Sequence, residues 1–249
     1  MSATVYWTLI DSFQAPLEDP TAFLTSLELE KLATFRFSKR RDEWLLGRWA
    51  AKSLLRNVPA YQHHCSRELE IRNEPAGAPY LCLADGTVLP GCLSISHRDG
   101  LALCALAPSP DLRVGIDLEK IESRTETFIL DYFTEAEQAF VERCTAEARA
   151  LAVTLVWSVK ESMLKALRVG LHRDTRRVEL HQLEDLLPVN GRGAEWQKIK
   201  VADLAQGSQP WAAWWRQWDK FVITLAAFSV ESAEIHPILL EQGLQPGTG

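Results

Sequence analysis

Residues 155–167, LVWSVKESMLKAL, form the stretch from which the rest of the chain can be interpreted. Trp157, Glu161 and Lys165 are spaced by four residues, so on an α-helix they share one stripe. An exposed Glu–Lys pair at this spacing would add only about 0.2–0.5 kcal/mol to helix stability. Trp157 on the same stripe favours a partly buried glutamate, which needs a cation or a hydrogen-bond donor. We expect this helix to end near Gly170, because glycine suits the position after a helix C-terminus.

The Trp-x-x-Lys pattern of this helix occurs twice, as WAAK at 49–52 and as WSVK at 157–160. Two matched residues are a weak signal of internal repetition. Each half of the chain also combines predicted strands with predicted helices, and a Pro-Ser-Pro-Asp stretch lies between the halves. We therefore predict an α+β protein of two similar α/β subdomains. Their predicted bounds are 1–110 and 111–240, followed by a flexible tail at 241–249.

Composition limits the class of protein. The chain has 249 residues, 47% of them hydrophobic, and a net charge of −6, which disfavours nucleic acid as a partner. No apolar run approaches the roughly 18 residues that span a bilayer, and the N-terminus lacks signal-peptide features, so we expect a cytoplasmic protein with no membrane segment. Five cysteines without Cys-x-x-Cys spacing predict buried free thiols. Basic clusters at 36–48 and 168–177 suit a phosphate ligand or an acidic partner, although solvated helix ends would look the same.

Local patterns predict the elements around the central helix. Helical spacing begins near Thr25 and Ser26, either of which is a possible N-cap, and again from Ser38. Two apolar runs on either side of Arg98-Asp99-Gly100 predict a hairpin. Thr134-x-x-Glu137 is a capping box that predicts the start of another helix.

VGIDLEK, residues 114–120, carries the second acidic pattern. On a strand Asp117 and Glu119 project to the same face, while the apolar residues between them turn toward the core. Gly115 allows a backbone or a ligand to approach closely. Two neighbouring carboxylates repel each other unless a cation lies between them, and Mg2+ prefers such oxygen ligands. An acidic strand edge facing solvent is the alternative.

SISH, residues 94–97, ends an apolar strand just before a turn. A hydroxyl from Ser96 and an imidazole from His97 suit a phosphate group, although a histidine in a turn is often only exposed. Gly-x-Ser-x-Gly is absent, so Ser96 is not predicted to be a nucleophile. Walker and Gly-x-Gly-x-x-Gly motifs are absent as well, which excludes P-loop and Rossmann sites.

Taken in order, these pieces resemble the Sfp-type 4′-phosphopantetheinyl transferases. The strongest part of the resemblance is Gly-Ile-Asp-x-Glu followed by Trp-x-x-Lys-Glu-x-x-x-Lys, with 44 residues from Asp117 to Glu161. The segments that carry it are GRWAAK (47–52), GAPYL (77–81), SISH (94–97), VGIDLEK (114–120), FTEAE (133–137) and WSVKESMLKALRVGL (157–171).

The resemblance implies two similar subdomains with coenzyme A bound in the cleft between them. It also implies a reaction, in which the phosphopantetheine arm of coenzyme A moves to a serine of an apo acyl or peptidyl carrier protein and adenosine 3′,5′-bisphosphate is released. Asp117, Glu119 and Glu161 resemble the family's Mg2+ ligands. Glu161 also resembles the general base, and Lys165 the residue that stabilises the transferring phosphoryl group. Lys160 is the candidate for a second cation near the pyrophosphate.

The same resemblance implies the contacts to coenzyme A. Ser96 and His97 look like the pair that holds its phosphates. The candidates for the 3′-phosphate are Lys39, Arg40 and Arg48, and those for the adenine are the turn residues Asn73, Gly77, Ala78 and Pro79. Gly77-Ala78-Pro79 departs from the family's Gly-Lys-Pro turn, so one basic side chain is missing, and we expect the first basic cluster or Arg72 to compensate.

The implied partners are coenzyme A and an acidic carrier protein of a fatty-acid, polyketide or nonribosomal-peptide synthase. In this family the segment at 120–133 helps to dock the carrier, here through Ile121, Phe128, Ile129 and Tyr132, unless these residues seal the enzyme's own core. We expect a monomer, because two subdomains can close one cleft. A Mg2+-dependent phosphohydrolase and a non-catalytic carrier-binding module are the competing hypotheses.

Overall fold

The computed structural model describes residues 4–169, 173–185, 195–204, 211–229 and 238–241. The chain forms two compact units, one of residues 1–112 with 236–249 and one of residues 113–235. The boundary after residue 112 lies two residues from the predicted one. The predicted C-terminal assignment is wrong, because the strand Ile238–Glu241 pairs with Thr4–Asp11 of the first unit. Residues 242–249 of the predicted tail lie outside the described residues.

The first unit combines two sheets with two helices. Its elements are β1 (Thr4–Asp11), α1 (Ser26–Ala33), α2 (Ser38–Arg56), β2 (Leu69–Asn73), β3 (Pro79–Leu83), β4 (Cys92–Arg98), β5 (Leu101–Ala107) and β11 (Ile238–Glu241). The main sheet has the order β11-β1-β5-β4, and β2-β3 is a separate hairpin. The predicted β4–β5 hairpin is confirmed, and its Asp99 and Gly100 both have positive φ, as a two-residue type I′ turn requires. Helix α2 packs its apolar face on β5.

The second unit places one long helix against a five-stranded sheet. Its elements are β6 (Leu112–Lys120), α3 (Glu126–Tyr132), α4 (Glu135–Arg143), α5 (Ala146–Leu167), β7 (Val178–His181), β8 (Gln197–Asp203), β9 (Trp211–Trp218) and β10 (Phe221–Ser229). The sheet order is β6-β10-β9-β8-β7, and α5 packs on β10. Helix α5 ends at Leu167, where Arg168 adopts the left-handed conformation predicted for a glycine. Gly170 itself lies outside the described residues.

Two simpler predictions concern the whole chain. All five cysteines are free thiols, and three of them, Cys82, Cys92 and Cys104, are buried. Cys144 is half-buried and Cys65 is exposed, so the expectation of buried thiols holds only in part. Among the described residues no helix is both long enough and apolar enough to cross a membrane.

A buried lysine–glutamate pair ties each unit together. In the second unit Glu137, at the third position of the α4 capping box, lies 2.8 Å from Lys160 Nζ of α5 and accepts a hydrogen bond from Leu180 N of β7 at 3.1 Å. Lys160 Nζ also donates to Thr175 O at 3.1 Å and to Val178 O at 2.5 Å. One ion pair therefore joins the start of a helix, the middle of the long helix and a strand.

The first unit repeats this pair. Glu28, at the third position of the α1 capping box, accepts a hydrogen bond from Lys52 Nζ of α2 and one from Ile71 N of β2 at 3.1 Å. Lys52 Nζ donates in addition to Phe23 O at 2.8 Å and to Ser66 O at 3.0 Å. Lys52 and Lys160 are the lysines of the two Trp-x-x-Lys patterns, so the weak repeat in the sequence marks one buried framework present in both units.

We predict that Glu137→Gln lowers the free energy of unfolding by about 3–5 kcal/mol, because it leaves the buried Lys160 ammonium without a counter-charge. Glu28→Gln should have a similar effect in the first unit. Urea unfolding followed by tryptophan fluorescence measures both changes.

The exposed Arg143–Glu184 pair provides the control. Arg143→Gln should change the free energy of unfolding by less than about 0.5 kcal/mol. A loss below about 1 kcal/mol for Glu137→Gln would show that the buried pair does not hold the second unit together.

Candidate active site

The position of the site is set where helix α5 crosses strand β6 at Gly115. A Cβ atom on Gly115 would lie 1.9 Å from Ser162 O and 2.5 Å from Ala166 N. Only glycine allows the helix backbone to come this close, which confirms the predicted role of Gly115. The contact places Glu161 and Lys165 of the helix beside the carboxylates of the strand.

Asp117 lies at the centre of the resulting group and is held from two sides. Its Oδ1 accepts a hydrogen bond from Lys165 Nζ at 2.6 Å, and its Oδ2 accepts one from Ser158 Oγ at 2.8 Å. Ser158 is held in turn by Thr224, whose Oγ1 donates to Ser158 O at 2.8 Å. Asp117 is only 3% exposed. The alternative of an acidic strand edge facing solvent is therefore excluded for Asp117.

Glu119 is also held by side chains that the sequence did not single out for this role. Its Oε1 accepts a hydrogen bond from Trp157 Nε1 at 3.2 Å, and its Oε2 lies 3.3 Å from Arg124 Nη2. The Trp157 ring is fixed by edge-on contacts with Phe128 and Tyr132, with centroids 4.9 and 5.1 Å away. From the spacing of the helix, Trp157 was predicted only to indicate burial. Its hydrogen bond to Glu119 joins residues 38 positions apart, so no local sequence pattern predicts it.

Glu161 differs from the other two carboxylates. Its Oε1 is buried and has no hydrogen-bond partner among the described residues. Burial raises the pKa of Glu161 to about 7, the carboxylates of Asp117 and Glu119 act in the same direction, and the Lys165 ammonium opposes them. A carboxyl group with this pKa exchanges its proton near neutral pH, as a general base must.

The fifth predicted member, Lys160, does not belong to this group. It is fully buried, and its ammonium is occupied by Glu137 and two backbone carbonyls. The assignment of Lys160 to a phosphate ligand is therefore wrong, since residues 160 and 161 point in different directions on a helix. We call the remaining four residues, Asp117, Glu119, Glu161 and Lys165, the acidic centre.

The acidic centre fits a hard divalent cation in its chemistry. Three carboxylates supply the oxygen ligands that Mg2+ prefers. Glu161 Oε1, which has no hydrogen-bond partner among the described residues, is an oxygen that such a cation could bind. In the part of the chain that the structure describes, however, no three acidic, histidine or cysteine side chains already have the arrangement of a metal site. Lys165 and Arg124 occupy oxygens of Asp117 and Glu119 instead.

Apart from Lys160, the predicted contacts to coenzyme A lie in the first unit, where three of the phosphate candidates and one of the adenine candidates share an open groove of about 920 Å³. These four are Lys39, Arg40, Asn73 and His97. The sequence interpretation missed the other members, which are Lys31, the acidic Glu43 and the aromatic residues Phe35, Phe37 and Trp44. The alternation of basic and aromatic residues in KLATFRFSKR was the available signal. The groove combines cations for phosphate oxygens with flat rings for a base.

Arg48 and Ser96 do not line this groove. Arg48 is buried, stacks 4.6 Å above the Trp44 ring, lies 3.6 Å from Glu28 and donates from Nη2 to Asn73 Oδ1 at 3.2 Å. It therefore supports the groove from beneath. Ser96 is buried on the face of β4 opposite to His97, because successive strand residues alternate.

The turn after Asn73 is held by its own contacts. Asn73 Nδ2 donates to Gly77 O at 2.7 Å, and Glu74 N donates to Ala78 O at 2.9 Å. Gly77 has a φ of 93°, which favours glycine. Pro79 begins β3, and only Asn73 of this turn lines the groove. Arg72, the expected compensation for the missing lysine, pairs with Glu70.

Residues 113–226 match the model of the 4′-phosphopantetheinyl transferase superfamily. The chain is 28% identical over 165 residues to the 4′-phosphopantetheinyl transferase HetI of Nostoc sp., over 65% of this chain and 67% of that protein. It is 26% identical over 175 residues to the human L-aminoadipate-semialdehyde dehydrogenase-phosphopantetheinyl transferase, over 66% of this chain and 53% of that protein.

Among solved structures, a holo-(acyl-carrier-protein) synthase of Bacillus anthracis in complex with CoA aligns with a TM-score of 0.34 and 22% identity, over 42% of this chain and 93% of that one. The alignments to the curated relatives span about half the length of the human protein and two thirds of the Nostoc protein. The predicted resemblance to 4′-phosphopantetheinyl transferases is confirmed by the family match and the curated relatives.

We predict that Gly115→Ala lowers the free energy of unfolding by about 3 kcal/mol, because the new methyl group can fit only if α5 moves away from β6. Gly47→Ala in α2 is the matched control, since its Cβ would meet only the Ile95 methyl group at 3.3 Å. Alanine also favours a helix by roughly 1 kcal/mol over glycine, so Gly47→Ala should be close to neutral. Equal effects of the two substitutions in urea unfolding would contradict this account of the crossing.

Proposed function

Because residues 113–226 match the 4′-phosphopantetheinyl transferase superfamily, we propose that the protein transfers the 4′-phosphopantetheine arm of coenzyme A to a serine of an apo acyl or peptidyl carrier protein. The second product is adenosine 3′,5′-bisphosphate. The observation that carries the proposal is the acidic centre, in which a buried and partnerless Glu161 oxygen lies beside two further carboxylates and a lysine.

Glu161 is proposed to accept the proton of the carrier serine. As that proton moves to the carboxylate, the serine oxygen attacks the phosphorus that bears the pantetheine arm. The bond from this phosphorus to the bridging oxygen of the pyrophosphate then breaks. Burial raises the pKa of Glu161 to about 7 in the metal-free protein, and a Mg2+ ion bound beside it would lower this pKa, so that the carboxylate is ionised at neutral pH and can accept the proton.

Lys165 is proposed to hold the negative charge that develops on the departing phosphate. Its ammonium donates to Asp117 Oδ1 and Ile116 O, and these two hydrogen bonds hold it within the acidic centre, where the phosphate is proposed to react. We propose that Asp117, Glu119 and Glu161 hold a Mg2+ ion. Such an ion would offset the charge of the pyrophosphate and keep Glu161 in its ionised form.

The groove of the first unit is proposed to bind the nucleotide end of coenzyme A. Lys31, Lys39 and Arg40 supply positive charge for the 3′-phosphate, and the Trp44 ring offers a surface for the adenine. His97 also lines the groove, with its Nδ1 3.9 Å from Glu43 Oε2.

The carrier protein is proposed to contact helix α3, but through fewer residues than expected. Ile129 is buried in the core of the second unit, so its expected role in docking is wrong. Phe128 and Ile121 also pack against that core. Leu130 and Tyr132 remain exposed, at 60% and 37%, and offer the apolar surface.

The cytoplasmic location and the monomeric state stay predictions, which cell fractionation and sedimentation would test.

We predict that incubation with coenzyme A, Mg2+ and an apo carrier protein adds one phosphopantetheine group to the carrier serine, as measured by intact mass. Glu161→Gln should reduce the rate by at least about 100-fold, because a general base contributes roughly 10²–10⁴-fold. Glu142→Gln, on the exposed face of α4, is the control.

Three outcomes would contradict the proposal. An unchanged carrier mass with an active reference enzyme would exclude transfer. Hydrolysis of coenzyme A at the same rate without carrier protein would favour a phosphohydrolase. Wild-type transfer by the Glu161→Gln variant would exclude Glu161 as the base.

We predict separately that Arg40→Gln raises the KM for coenzyme A about five- to tenfold with little change in kcat, because it removes a charge-assisted contact made equally in the ground and transition states. Arg41→Gln is the matched control, since Arg41 is the next residue of α2 but lies outside the groove. Equal KM values for the two variants would exclude the groove as the nucleotide site.

A further inference from the structure

Arg124 is a cation of the second unit that touches a carboxylate of the acidic centre without belonging to the proposed machinery. Its Nη2 lies 3.3 Å from Glu119 Oε2 and 3.2 Å from Glu122 Oε1, so the guanidinium bridges two carboxylates. Its plane also lies over the Phe128 ring, 5.3 Å from the centroid. The side chain is 24% exposed. Arg124 is therefore placed between the acidic centre and the surface.

The two oxygens of Glu119 have partners of different kinds. Oε1 is held by the neutral indole of Trp157, which is fixed among aromatic rings. Oε2 is held by the charged guanidinium of Arg124, which lies in the segment 121–125 between β6 and α3, outside any helix or strand. Of the two partners, Arg124 is the one whose backbone no helix or strand fixes.

The contacts of Arg124 are incomplete. Its Nε is buried and has no hydrogen-bond partner among the described residues. A buried donor without an acceptor costs free energy, so the missing partner of Nε weakens the hold on the guanidinium at this position. Glu122 is a second acidic partner, 3.2 Å from Nη2, and it can keep the guanidinium after Glu119 is released.

We propose that Arg124 occupies the cation position at Glu119 and competes with the divalent ion for that carboxylate. When the ion is bound, Arg124 would release Glu119 and keep its pair with Glu122. No covalent bond changes. The positive charge beside Glu119 would come from the ion instead of from the Arg124 guanidinium. Arg124 thus acts as a positioning residue, because it holds Glu119 in place until the ion binds.

The inference rests on the proposed metal site and explains why the three carboxylates lack the arrangement of a metal site in the part of the chain that the structure describes. Two chain cations, Lys165 and Arg124, hold oxygens of Asp117 and Glu119. Lys165 is assigned to the reaction itself. Arg124 is therefore the cation that can be removed to test competition without removing a proposed catalytic group.

The test measures binding of Mn2+, as a paramagnetic substitute for Mg2+, by the loss of the free-ion electron spin resonance signal. We expect Arg124→Gln to bind Mn2+ about three- to tenfold more tightly than wild type, the range set by removal of one half-buried ion pair. Arg149→Gln is the matched control, because Arg149 forms an exposed pair with Glu126 in the same unit. It removes the same charge and should leave the affinity within about twofold of wild type.

Glu122→Gln provides a test with the opposite sign. Without its second acidic partner, the guanidinium should hold Glu119 more strongly, and Mn2+ should bind more weakly than in wild type. Arg124→Lys keeps the charge but loses the planar bridge, so it should fall between wild type and Arg124→Gln. Arg124→Lys also serves as the second variant if Arg124→Gln does not fold.

The outcomes separate this inference from the proposed function. Equal Mn2+ affinities for Arg124→Gln and Arg149→Gln, or weaker binding by Arg124→Gln, would overturn the competition while leaving transferase activity open. No Mn2+ binding by any variant would overturn both the metal site and the competition. The carrier-mass assay with wild-type protein reports on transfer independently.

Discussion

The buried lysine–glutamate pair is the interaction on which each unit depends. Glu137 completes the capping box of α4, receives the ammonium of α5 and accepts a hydrogen bond from β7. Removal of two charges from water is expensive, and the attraction offsets this cost only when the remaining hydrogen-bond positions are filled. Here they are filled by backbone groups from separate segments, so the cost is met only when those segments are correctly assembled. The pair thus favours one arrangement of the unit over other compact arrangements.

The same buried framework occurs in both units, although the two units carry different candidate sites. In both units an aromatic residue two positions before the capping threonine meets the tryptophan of the Trp-x-x-Lys pattern edge-on, with centroids 5.1 Å apart for Phe23–Trp49 and for Tyr132–Trp157. Counted from the buried lysine, Glu161 and Lys165 of the second unit correspond to Ser53 and Asn57 of the first. The framework is shared, whereas the first unit has neither a carboxylate nor a lysine at the two positions that correspond to Glu161 and Lys165. The first unit carries instead a groove of basic and aromatic side chains.

Local sequence patterns predicted much of this structure because they depend on neighbouring residues. The Thr134–Glu137 capping box, the helix spacing, the turn at Arg98-Asp99-Gly100 and the shared face of Asp117 and Glu119 all follow from geometry over a few residues. The return of β11 to β1 and the indole bond from Trp157 to Glu119 connect distant segments, and no local pattern encodes them. Lys160 was misassigned because a motif lists adjacent residues, whereas a helix turns them about 100° apart.

Lys160 and Lys165 differ in burial, and this difference separates a lysine that stabilises the fold from one that is available to a ligand. Lys160 is completely enclosed and meets a carboxylate and two carbonyls, so its ammonium has no capacity left for a ligand. Lys165 is 28% exposed and donates to Asp117 at the edge of the acidic centre. Glu161, between them in sequence, has one buried oxygen without a partner and a pKa raised to about 7. An unsatisfied buried oxygen costs free energy, and the proposed Mg2+ ion would supply the positive charge that Glu161 Oε1 lacks. The unsatisfied Glu161, rather than the completed ion pair of Lys160, is therefore where we place the proposed ligand.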